Sequence, residues 1–313
     1  MWVVLPLIVF FTLGVLSRRV FPTSVLWVKW INHFIIYVAF PAIIFNKVPA
    51  LDLSISVLIP ASFAWAWAGI AMALVWAMSR VFNLARETTG ALLILTTMGN
   101  TSFLGYALTA SVFGDATLAY AIFYDQFGSF FILSTLGLII IARYTPNMQI
   151  DQNGKTIVLP NEPPSVWQML KRIICFPPFI TLCVAIFLPT ENVAQLLAPL
   201  TYALGKTLMP LALFVIGLQF RVQLLPHHRL PLFIGLSLKM ILAPILALSV
   251  FYWVDVSTEI RAATVFEAAM PSMITPGLLA ISAGIAPRFI ATFLGYSTVF
   301  ALISLPIVVM LLL

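Results

Sequence analysis

Apolar positions along this chain neither alternate nor recur at helical spacing; they run on in long blocks separated by short polar breaks. Blocks of that length fit helices whose whole circumference faces lipid or other apolar helices. Ten blocks stand out, at 2–16, 25–48, 54–79, 87–113, 115–142, 167–188, 194–219, 230–253, 258–284 and 287–312. They predict an all-α polytopic membrane protein with ten transmembrane helices. The first block is short, and the fourth and ninth are long and interrupted. Between the fifth and sixth lies the one long polar connector, Arg143–Val166, "RYTPNMQIDQNGKTIVLPNEPPSV". It divides the chain into 1–142, a linker 143–166, and 167–313.

Composition strengthens that reading. The chain is 62% hydrophobic and 8% charged, with a mean hydropathy of +1.09, more apolar surface than a soluble domain of this size can bury. Its net charge of +6 could suggest nucleic acid, but the basic residues form no stripe, and no nucleic-acid partner is expected. They follow the connections instead. Odd-numbered connections and adjoining helix ends hold Arg18, Arg19, Lys29, Arg80, Arg86, Arg143, Lys155, Lys171, Arg172, Arg221, Arg229 and Arg288, whereas the even-numbered ones hold Lys47 and Arg261. Basic loops stay in the cytoplasm, so the linker is expected there and both termini in the periplasm of a bacterial plasma (inner) membrane. Arg18 and Arg19 follow the first apolar run, the pattern of an uncleaved span rather than a secretory signal. Cys175 and Cys183 lie in one apolar run and offer neither a disulfide framework nor a zinc set. No metal site and no cofactor are expected, apart from a bound Na+.

Five spans per half is an odd number, so the second half must enter the membrane from the opposite face. Two inverted five-helix repeats follow, an arrangement of many secondary transporters. "FPAIIF" (Phe40–Phe45) matches "MPLALF" (Met209–Phe214), and Glu87, Gly105 and Tyr124 match Glu259, Gly277 and Tyr296 at a separation of 172 residues.

The interruptions carry the chemistry. "MGNTSFLGY" (Met98–Tyr106) breaks the fourth run and "AMPSMITPG" (Ala269–Gly277) the ninth. From Glu87 to Asn100 is roughly 20 Å of helix at about 1.5 Å per residue. The hydrocarbon core is about 30 Å thick, which places Asn100 near the midplane. Pro271 and Pro276 cannot donate backbone hydrogen bonds. Backbone groups freed at that depth are tolerated only where protein or a water-filled cavity satisfies them. Second half-helices beginning near Thr101 and Thr275 would present N–H groups suited to a carboxylate. First half-helices ending near Met98 and Met270 would present carbonyls suited to a cation. Asn100, Thr101, Ser102, Pro271, Ser272 and Thr275 are therefore the expected substrate-binding residues. Ordinary packing kinks are the bland alternative, and two of them at matching positions favour function.

Together, "LGVLSRR", "YVAFPAIIF", "GNTSFLGY", "YDQFG" (Tyr124–Gly128), "MPLALFVIG" (Met209–Gly217) and "EAAMPSMITPG" (Glu267–Gly277) make the whole chain resemble the auxin efflux carrier family of bacterial permeases, relatives of plant auxin carriers and malonate permeases. The resemblance implies ten spans in two inverted repeats, with broken helices four and nine crossing at the substrate site. Plant carriers have Asn-Pro at the first crossover; this chain has Gly99-Asn100. The distantly related sodium-coupled bile-acid carriers use a Glu just before their second crossover to hold Na+, a position matched by Glu267.

Acids inside a membrane are costly and mark ion or proton sites. Glu267 lies one turn before Pro271, and Asp125 about ten residues into span five. With the carbonyls of Met98 and Met270 they are the expected cation-coupling set. A structural hydrogen bond with Gln126 or a tyrosine is the alternative for Asp125, and a neutral or helix-bonded carboxyl for Glu267. Lys47 and Lys206 are expected to reach for an interface, and His227 and His228 to be solvated. The small residues of "SFAWAWAGIAMALVWA" in span three fit either close helix packing or a homodimer interface. A secondary transporter of a small organic anion, auxin-like or dicarboxylic, coupled to Na+ or H+, is the reading these features favour. An intramembrane enzyme using Glu267 and Asp125, or a non-transporting membrane sensor, remains the alternative. The chain has no Gly-x-Ser-x-Gly, no paired-Asp motif and no Walker motif.

Overall fold

In a computed structural model, the structure describes residues 4–20, 24–48, 55–150, 156–159, 164–187, 191–219 and 228–313. In chain order the elements are α1 (Val4–Val20), α2 (Leu26–Lys47), α3 (Ile55–Val81), α4 (Arg86–Thr97), α5 (Thr101–Phe113) and α6 (Asp115–Tyr144). Two short strands follow, β1 (Asn147–Ile150) and β2 (Thr156–Leu159), paired antiparallel with Asn147 opposite Leu159. The second half holds α7 (Val166–Ile174), α8 (Pro177–Phe187), α9 (Gln195–Leu218), α10 (Arg229–Trp253), α11 (Thr258–Ala268), α12 (Ile274–Ser282) and α13 (Pro287–Leu312). The two strands lie in the linker; the other described elements are helices.

Among the described residues, six helices are long and apolar enough to cross a membrane: α2, α3, α6, α9, α10 and α13. The pair α7–α8, bent by 66°, makes a seventh if counted as one span. Of the other expected spans, α1 is 17 residues long, about 26 Å at the α-helical rise. The fourth and ninth runs each fall into two short helices at the sequence interruptions. Bulky aromatics stay exposed near helix ends, Trp27 and Trp30 on α2 and Tyr252 and Trp253 on α10. That is where amphipathic rings settle at a bilayer surface.

The half-helices α4 and α11 form the centre. Every residue of α4 from Thr89 to Thr97, and of α11 from Ala262 to Ala268, is buried. Ser257 accepts from Ile260 N–H and so caps the start of α11. Around them packs one apolar cluster, which takes in α3, α10, α12 and α13. A second cluster joins α2, α8 and α9 to Tyr106 of α5 and to Leu118, Ile122 and Phe123 of α6. α1 lies against the end of α9, where methyl groups on Gly14 would fall 2.9 Å from Gly217 Cα; glycine at both positions lets the two backbones touch. On α3, Ala64 packs inside the chain, in the space that a side chain on Gly128 of α6 would need, whereas Gly69 is exposed and a methyl group there would meet nothing within 4 Å.

Candidate functional site

Both interruptions are extended peptide, and they meet. Met98 leaves α4 with φ −120° and ψ 131°, and Met273 leads into α12 with φ −66° and ψ 129°. Gly99 faces Ser272 in a single antiparallel bridge. Asn100 N–H donates to Pro271 O at 2.7 Å, and Met273 N–H donates to Met98 O at 3.1 Å. Two broken helices thus satisfy each other's freed backbone in a place where bulk water is not available to do so. Pro271 supplies a carbonyl and needs no partner for an N–H it lacks.

Side chains and backbone N–H groups close several carbonyls at the two helix ends. Within the last turn of α4, Leu95 O accepts from Ser272 Oγ at 2.6 Å and Thr96 O from Trp67 Nε1 at 3.0 Å. At the end of α11, Ala269 N–H reaches Val265 O and Phe266 O, and Met270 N–H reaches Glu267 O. The remaining carbonyl, Ala268 O, accepts from the ammonium of Lys239 at 2.9 Å. Lys239 is 1% exposed and rides a π-helical turn in the middle of α10, Leu238–Leu242.

At the start of α5 the hydroxyls of Thr101 and Ser102 both donate to Asp125 Oδ1, at 2.5 and 2.6 Å. Tyr106 OH and Gln126 Nε2 donate to Oδ2 at 2.9 and 2.8 Å. Asp125 therefore occupies the place beside a helix N-terminus where a substrate carboxylate was expected. It lies in a second π-helical turn, Tyr124–Phe130. The structural partners anticipated for it, Gln126 and a tyrosine, are present together with the two hydroxyls. Glu267 reaches the next turns of α5: Thr109 Oγ1 donates to its Oε1 at 3.0 Å, and Gly105 lies against the carboxyl. Its Oε2 is buried with no hydrogen-bond partner among the described residues.

Met98, Asn100, Thr101, Ser102, Asp125, Glu267, Met270, Pro271 and Ser272 come together at this crossing, several with other partners than expected. Thr101 and Ser102 face Asp125, and Ser272 caps α4. Met98 O is engaged by Met273, and Met270 N–H by Glu267 O. Asn100 is 3% exposed, and its amide side chain makes no hydrogen bond to the described residues. Thr275 is half-buried in the first turn of α12. Lys239, Thr109, Tyr106 and Gln126 had been given no site role from sequence. The missed signal was Lys239 itself, a lone cation deep within an apolar run, which membrane energetics mark as functional.

Other expectations shift too. Rather than reaching only for an interface, Lys47 pairs with Asp115 at 2.6 Å, with 17% and 65% of the two side chains exposed. Lys206 lies over the Tyr202 ring at 4.2 Å. Expected to be solvated, His228 is instead buried, with its ring edge-on to Phe289 at 5.2 Å, because the start of α10 packs on α13; His227 lies outside the described residues. A cavity of about 280 Å³ opens beside the Lys47–Asp115 pair, lined by Asn46, Ser111, Thr201, Tyr202 and Lys206 among others. It lies among α2, α5, the start of α6 and α9. Among the described residues, no three His, Cys, Asp or Glu side chains group as metal ligands.

The model of the family described as membrane transport protein matches residues 1–309. An uncharacterized transporter of Methanothermobacter thermautotrophicus is 28% identical over 287 residues, 88% of this chain and 86% of the relative. An uncharacterized transporter of Methanocaldococcus jannaschii is 25% identical over 285 residues, with the same coverage of each chain.

Proposed function

The chain belongs to the membrane transport protein family, the auxin efflux carrier family, and is a membrane transporter rather than an enzyme; on that premise we propose a secondary active permease for a small organic anion, auxin-like or dicarboxylic. The crossing of two interrupted helices at Gly99 and Ser272 carries the reading. Substrate sites of secondary transporters form where discontinuous helices expose backbone near the bilayer midplane. In this proposal ten spans form two inverted five-helix repeats, 1–142 and 167–313, joined by a cytoplasmic linker, with both termini periplasmic in a plasma membrane.

Asn100 is the first residue assigned to substrate, since its buried amide is uncommitted. Pro271 and Thr275 complete the wall around it. Thr101, Ser102 and Ser272 support the wall through their internal bonds. Access alternates as α2 and α9 shift against α5 along the cavity and the Lys47–Asp115 pair, which closes the outer end. Glu267 is the coupling group: it touches α5, and one of its oxygens is uncommitted. Purified protein in proteoliposomes should exchange labelled organic anions across the membrane. Uptake and counterflow that stay at the level of empty liposomes for every mono- and dicarboxylate tried would overturn this function.

A further inference from the structure

We propose that the ammonium of Lys239 is a resident cation that takes the place of a coupling Na+ at the carbonyl end of α11, so that this carrier works without Na+. The proposal rests on reading the crossing as the transport centre. A helix that stops inside a membrane leaves carbonyls facing no partner, and its partial negative end attracts a cation. At α11 three of the terminal carbonyls are closed by backbone N–H groups, and the fourth, Ala268 O, is closed by Lys239 Nζ. The ammonium does not merely graze that end. A methyl group on Gly99 would lie 3.2 Å from Nζ and 3.4 Å from Glu267 O, so the charge rests against both interrupted peptides at once.

Two features distinguish this lysine from a packed stem that happens to find an acceptor. Lys239 is 1% exposed in the middle of α10, too far from either helix end for its head to reach water. Glu267, the carboxyl one residue before Ala268 on α11, is buried at the same crossing and keeps one oxygen without a hydrogen-bond partner among the described residues. One monovalent cation, one carboxylate and a helix carbonyl end form a balanced set. A Na+ ion brought to the same carbonyl would meet the ammonium at close range, where repulsion is strong in a low-dielectric interior. Lysine supplies what the ion would supply, but tethered, so no binding step is needed and no ion is released.

The test uses thermal unfolding of the purified full chain in NaCl, KCl and choline chloride at equal ionic strength, so it needs neither substrate nor transport. A failure of the transport reading would show as absent uptake and leave these curves untouched. Wild type is expected to give one Tm in all three salts. Lys239→Ala removes the charge and opens the space; its Tm should fall by at least about 4 °C and rise with Na+ alone, saturably, as for any ligand of the native state. Lys239→Met removes the charge and keeps the bulk; its Tm should also fall, but ignore Na+. Selective stabilisation of wild type by Na+ overturns the proposal, as does a Met variant as stable as wild type. So does a folded Ala variant that Na+ does not stabilise. If the Ala variant cannot be purified, wild type and the Met variant still decide the question.

Discussion

Gly105 of α5 lies against the carboxyl of Glu267 on α11, so closely that a methyl group there would stand 2.7 Å from both Cδ and Oε1. The two residues come from opposite halves of the chain, and the contact sets how near the broken helices can approach. Gly105→Ala forces the carboxyl aside and strains its bond with Thr109. Overpacking of this kind costs about 1–3 kcal/mol. The variant should unfold at a Tm lower by roughly 2–6 °C, read by a thermal shift in detergent. An unchanged Tm would mean that the two elements separate at no cost.

Asn100 and Ser272 face each other's peptides yet should respond differently to truncation. Ser272 Oγ serves Leu95 O, so Ser272→Ala leaves a buried carbonyl unpaired and should cost about 1–3 kcal/mol of stability. Asn100 has no such internal duty. Asn100→Ala should leave the Tm unchanged and weaken substrate binding by the worth of one hydrogen bond, about 0.5–1.5 kcal/mol, or roughly two- to twelvefold. Binding isotherms beside melting curves separate the two; equal affinity in the Asn100 variant removes that residue from the site.

Glu267→Gln keeps the shape of the side chain and an acceptor for Thr109 while removing its charge and its ability to take up a proton. Concentrative uptake should be lost, with folded protein retained and exchange of substrate across the membrane persisting. Ion-driven accumulation at the wild-type level would move coupling to Asp125, although four donors already surround that carboxylate.

Lys47 and Asp115 join α2 to the start of α6 beside the cavity. Because Asp115 is 65% exposed, the pair should contribute less than about 1 kcal/mol to stability. Its effect should therefore show in rate rather than in Tm. Asp115→Asn should raise the exchange rate, and the swap Lys47→Asp with Asp115→Lys should return it toward wild type. A swap that behaves like the single variant would mean that the pair does not gate.

Orientation has its own measurement. A C-terminal reporter active only in the cytoplasm should be silent, and a cysteine placed in the Arg143–Val166 linker should resist membrane-impermeant labelling from outside. Activity of the reporter would reverse the assigned topology.

Much of this protein was legible along the chain because a membrane imposes one-dimensional rules. A span must be long and apolar, so runs such as 115–142 and 287–312 announced α6 and α13. Proline and glycine break a helix wherever they fall, so the interruptions at Met98–Asn100 and Ala269–Met273 were visible before any fold. Partnership was not visible, because it depends on which groups the fold brings within about 3 Å. Sequence placed Thr101 and Ser102 at a helix N-terminus fit for an anion; only packing decided that the anion beside them is Asp125, from the next helix. Sequence likewise found a carbonyl end fit for a cation. The tertiary structure set Lys239 against it from α10, 29 residues before Ala268 in the chain. Burial cost requires each of these charges to find a partner in the membrane interior, but it leaves the choice of partner to the fold.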